Sequence, residues 1–84
     1  MIKKNKKNLS LSGPAIYQIK VPGHLDESWT DWVANTTIQV ESDEGGLPIT
    51  ILTGVLDQAA LVGLLRRLNS LGLPLISVIC LDVV

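Results

Sequence analysis

The sequence predicts an α+β domain built on one antiparallel sheet of four strands. Three observations carry that expectation. Residues 15–21, AIYQIKV, and 36–42, TTIQVES, alternate apolar with polar side chains, the period of a half-buried strand. Residues 57–74, DQAALVGLLRRLNSLGLP, repeat leucine at helical spacing between a capping aspartate and a glycine–proline stop. Two further runs, PITILTGVL and LISVICLDVV, have strand length and are apolar on both faces.

Taken in order, residues 1–14 read as a flexible lysine-rich arm ending at Gly13-Pro14, and residues 15–84 as a single domain. In the first strand Tyr17, Ile19 and Val21 oppose Gln18 and Lys20, and Pro22-Gly23 ends it. The stretch GHLDESWTDW then starts a short helix. Asp26 is suited to the N-cap, Glu27 to the positive end of the helix dipole, and Trp29, Trp32 and Val33 share one face.

Thr36, Ile38 and Val40 form one side of the next strand, and DEGGLP makes the turn, because Gly45-Gly46 takes positive φ without steric cost. PITILTGVL completes the hairpin, with Ile49 and Ile51 on one face and Leu52 on the other. In the second helix Asp57 is the cap and Leu61, Leu64, Leu65, Leu68 and Leu71 are the buried stripe. Gly72 takes the left-handed position after the last turn, with Leu73 covering Leu68. Gly63 costs about 1 kcal/mol there relative to alanine, which points to a close approach to the sheet or to a partner. The last strand divides into Leu75, Ile79, Leu81 and Val83 on one side and Ile76, Val78 and Cys80 on the other, with both sides covered.

Strand, helix, strand, strand, helix, strand is the ferredoxin-like βαββαβ order, with both helices on one face of the sheet. That leaves a problem of surface. The chain has 84 residues, 46% of them hydrophobic, and a mean hydropathy of +0.35. A chain of this size buries only about 60% of its unfolded surface. The sheet face away from the helices is therefore expected to bind a second copy, through Ile49, Ile51, Ile76, Val78 and Cys80. Face-to-face packing as a dimer is the first expectation and edge-to-edge strand addition the second.

Charge and cysteine use narrow the function classes. Net charge is −1, but Lys3, Lys4, Lys6 and Lys7 sit in the arm, which leaves the body three positive and eight negative side chains. The body is a poor match to a phosphate backbone, and only those four lysines offer nucleic acid a contact. Cys80 is the only cysteine, which excludes an internal disulfide and a multi-cysteine metal site. No apolar run reaches the ~18–20 residues of a membrane span. There is no secretory pattern, so the location expected is cytoplasmic.

GHLDESWTDW is also the one stretch that gathers reactive side chains. His24 and Asp26 stand two apart, too little for a general-base dyad without a cleft. One histidine and scattered acids make no metal set, and Glu27 and Asp31 are more simply solvated neighbours. Phosphate-loop, dinucleotide, serine-elbow and zinc-protease signatures are absent. The sequence thus assigns no catalytic residue, metal or cofactor. The alternative it leaves open is a ligand pocket of the dimeric α+β-barrel kind, lined by Trp29 and Trp32 with His24 at its mouth.

Three segments, YQIKVPGHLDESWTDW, LTGVLDQAALVGLL and LGLPLISV, resemble a widespread group of small prokaryotic proteins of unknown function. The resemblance implies no activity. Residues before Tyr17 and after Val78 depart from it.

Overall fold

A computed structural model of the chain describes residues 9–10, 13–25 and 36–84. Its elements are β1 (Ala15–Pro22), β2 (Thr36–Ser42), β3 (Pro48–Leu56), α1 (Gln58–Ser70) and β4 (Ser77–Val83). The four strands form one sheet in the order β2-β3-β1-β4, with every neighbouring pair antiparallel. The fold is α+β. α1 is the single helix among the described residues, so the two-helix βαββαβ expectation is met only as far as its α+β class and four-stranded antiparallel sheet. The helix expected from Asp26 lies in residues 26–35, outside the described residues, as does most of the N-terminal arm.

Register explains which side chains form the core. Ile19 stands opposite Leu52 on one side and Val78 on the other, and Leu52 stands opposite Ile38. Directly opposed residues of an antiparallel ladder point to the same face, so this row faces one way. Ala15, Tyr17, Ile19, Val21, Leu52 and Leu56 supply the sheet side of the core, and Leu61, Leu64 and Leu68 of α1 close over it. The alternating burial of β1 follows directly from its alternating sequence.

The helix ends are as its sequence dictates. The Asp57 carboxylate accepts from the Ala60 N–H at 2.8 Å, satisfying a first-turn donor that has no partner within the helix. At the other end Leu73 N–H donates to Leu68 O at 3.1 Å and Gly72 N–H to Asn69 O at 3.0 Å. With Gly72 at φ 78° this is the paired-bond Schellman stop. Two details differ from expectation. Leu71 is the C-cap, past the last helical residue, and is exposed. Gly63 is exposed as well, and a Cβ placed on it meets nothing within 4 Å, so no close approach to the sheet explains it.

The β2–β3 turn is held by Asp43, whose carboxylate accepts from the N–H groups of Gly45 and Leu47, each at 2.9 Å. Gly46 supplies the positive φ that closes it, at 80°.

Candidate functional site

β4 is an edge strand, paired to β1 on one side and to no strand on the other among the described residues. Within one copy its side chains are not covered. Val78, Ile79, Cys80 and Leu81 are all exposed, as are Leu75 and Ile76 before them and Val84 after. Leu81 is 51% exposed. α1 packs its leucines over β1 and β3, so even the helix-side residues Val78 and Cys80 stay open. The ladder to β1 shifts register between Ile16 and Tyr17, whose partners are Asp82 and Cys80; Leu81 is the extra residue of a β-bulge. The bulge returns Val83 to the face of Cys80, opposite Ala15, which strict alternation in the sequence does not foretell.

The five residues expected to form one interface are divided by this register. Ile51 stands opposite Lys20, and Ile49 opposite Pro22, on the face away from α1. Val78 and Cys80 stand opposite Ile19 and Tyr17, on the α1 face. Ile76 precedes β4, is exposed, and donates its N–H to Lys20 O at 2.8 Å. The face away from α1 is not the apolar sheet expected. Gln18, Lys20, Thr37, Gln39, Glu41, Thr53, Ser77 and Asp82 interleave there with Ile16, Ile49, Ile51, Val55 and Ile79. Ile51 is buried between Lys20 and Gln39, whose stems cover apolar surface while their heads stay wet. The unsheltered aliphatic surface lies along the edge of the sheet instead.

Where β1 leaves the sheet, Thr50 of β3 fixes the strand exit that carries His24. Its side chain is fully buried at 0% exposure. The hydroxyl donates to Gly23 O at 2.6 Å and accepts from Leu25 N–H at 3.0 Å. Gly23 N–H donates to Pro48 O at 2.9 Å. His24 is thus held between two anchored neighbours with its own side chain exposed. Trp29 and Trp32, the other proposed pocket residues, lie outside the described residues, as do Lys3, Lys4, Lys6 and Lys7. Among the described residues no group of three His, Cys, Asp or Glu side chains is placed to hold a metal ion. Nor is any described helix long and apolar enough to cross a membrane.

One polar cluster touches the candidate edge. Tyr17 is buried, and its hydroxyl oxygen accepts from the Gln58 side-chain amide at the start of α1. Burial holds the phenol proton on, and neighbouring Cys80 adds to the effect, so the Tyr17 pKa lies above its ordinary 10.0 despite the opposing pull of the Gln58 bond. The Cys80 thiol is exposed and reaches Asp82 O at 3.7 Å.

The model of one protein family, described as a domain of unknown function (DUF8691), matches residues 16–79. That span runs from β1 into β4 and takes in α1 whole. No curated protein and no solved structure matches the chain.

Proposed function

We propose that this chain, which belongs to the DUF8691 family of domains of unknown function, is a small self-associating interaction or regulatory module. Its docking surface is β4 with the residues on either side. One observation carries this reading: six aliphatic side chains, Leu75, Ile76, Val78, Ile79, Leu81 and Val84, are 38–53% exposed along an edge that pairs with no further strand among the described residues. A long apolar edge strand is a template for further pairing unless charge or a covering element blunts it. Asp82 is the only charged side chain in β4.

The magnitude is adequate. Covering the exposed half of such a side chain is worth about 1 kcal/mol at about 25 cal/mol per Å². Six per copy give roughly 12 kcal/mol for a pair, against about 4–15 kcal/mol lost on association. Ladder hydrogen bonds add about 0.5–1.5 kcal/mol each. The gain is of the same size as the loss, so a dimer on this edge depends on protein concentration.

The reading includes a ferredoxin-like fold and a cytoplasmic location. β1 and β2 are both antiparallel to β3 and therefore parallel to each other, with β3 between them. Parallel strands need a crossover of a dozen or so residues, usually helical, and residues 23–35 supply that length. Sedimentation velocity of the full chain tests the function. A species of twice the 9.1 kDa chain mass at tens of micromolar supports it, and a 9.1 kDa species at every concentration overturns it.

A further inference from the structure

We infer that the occupant of the β4 edge is β4 of a second copy, added antiparallel about a two-fold axis through Cys80, so that two four-stranded sheets join into one of eight. The inference rests on the self-association proposed above and adds the strand, its direction and its register.

The choice of strand follows from the two edges. β2, at the other side of the sheet, reads TTIQVES, with Glu41 and four hydroxyl or amide side chains exposed or half-exposed. A contact from β4 of one copy to β2 of the next is heterologous. It leaves a free edge at each end and grows without closing. Pairing β4 with β4 uses the same surface twice and closes at two.

Direction and register follow from the sequence of the strand. β4 has seven residues and Cys80 is the middle one. Antiparallel pairing about Cys80 sets it opposite its own counterpart and sets Ile79 of each copy against the Leu81 bulge of the other; past the bulge Asp82 and Val83 have changed faces, so simple pairing does not extend to Val78 and Ser77. The aliphatic pair Ile79–Leu81 occurs twice, once on each side of the axis. The two Asp82 carboxylates lie at opposite ends. A parallel in-register pairing would instead set Asp82 beside Asp82, and like charges side by side destabilise a ladder. The observed exposure fits, since Val78, Ile79, Cys80 and Leu81 are open whichever face they take.

Cys80 makes the register measurable. Directly opposed residues of an antiparallel ladder have Cα atoms about 4.5–5.5 Å apart, inside the range of about 4.4–6.8 Å that a disulfide spans. The experiment treats the full chain with diamide, an azo oxidant, at a concentration where sedimentation has been measured. Two Cys80 thiols lose two protons and two electrons, one S–S bond forms, and diamide is reduced to the hydrazine. Single-cysteine comparators carry Cys80→Ser with Ile79→Cys or with Thr37→Cys, each checked for native far-UV circular dichroism. The inference predicts a covalent dimer of the native chain that forms at least about tenfold faster than that of either comparator, because each comparator's cysteines lie outside disulfide geometry. A sedimenting dimer in which Cys80 crosslinks no faster than position 79 or 37 overturns the register while leaving self-association intact. A chain that sediments as monomer and does not crosslink overturns both.

Discussion

Thr50 offers the sharpest perturbation of the fold, because one hydroxyl joins the sheet to the loop that carries His24. Thr50→Val keeps the shape of the side chain and its place opposite Val21 and Val40, so it opens no cavity. It removes the donor to Gly23 O at 2.6 Å and the acceptor of Leu25 N–H at 3.0 Å. Each bond contributes about 0.5–1.5 kcal/mol net, and an orphaned buried group costs about 1–3 kcal/mol. Gly23 and Leu25 are only half-buried, so water re-satisfies part of what is lost. The expected destabilisation is about 2 kcal/mol, or a Tm lowered by roughly 8–16 °C at about 4–8 °C per kcal/mol for a domain of this size. Urea and thermal unfolding followed by circular dichroism read it, at one fixed protein concentration because association contributes to apparent stability. Thr50→Ser keeps the hydroxyl and should retain the Leu25 amide protection that Thr50→Val loses. A Thr50→Val chain within about 0.5 kcal/mol of the parent, the range of an inert surface change, would refute the clasp.

Three further outcomes follow from the same geometry. Gly63→Ala should stabilise the chain by about 0.5–1 kcal/mol in urea unfolding, since the added Cβ meets nothing; destabilisation would mean that the position faces a partner. Asp57→Ala should cost about 1 kcal/mol through loss of the bond to Ala60 N–H, and an unchanged urea midpoint would show that the cap contributes nothing. Tyr17, the only tyrosine, should titrate above pH 10.0 by ultraviolet difference absorbance. Because folding raises this pKa, the associated stability is fully present below about pH 10 and is lost as pH rises through the folded value. A midpoint at or below 10.0 would contradict the burial of the hydroxyl.

How much of this was legible in the sequence depended on the range of the interactions. The bounds of β2 and β3 and both ends of α1 are set by neighbours within a few residues: the alternation of TTIQVES, the Asp57 cap, the Gly72 stop. These the sequence carried. The place of β4 in the sheet was not legible. An apolar run such as LISVICLDVV reads the same whether it is central and covered or lies at an edge waiting for a partner. Only the pairing with β1 separates Ile49 and Ile51 from Val78 and Cys80, and the bulge at Leu81 removes the simple alternation that would have forecast Val83. Thr50 left no local signal either, since its bonds join positions 25 and 27 residues apart. The surplus of apolar surface was correctly expected from composition. Its position was expected on the broad sheet face, where polar side chains turn out to interleave with the aliphatic ones.

Hydrogen exchange of the backbone amides, measured across a dilution series, tests the central claim most directly. The account predicts that β4 amides pointing away from β1 exchange freely in dilute protein and gain protection as concentration rises, while those on the outer edge of β2 do not change. Outer β4 amides that stay unprotected at every concentration, or protection that builds along β2 instead, would contradict it.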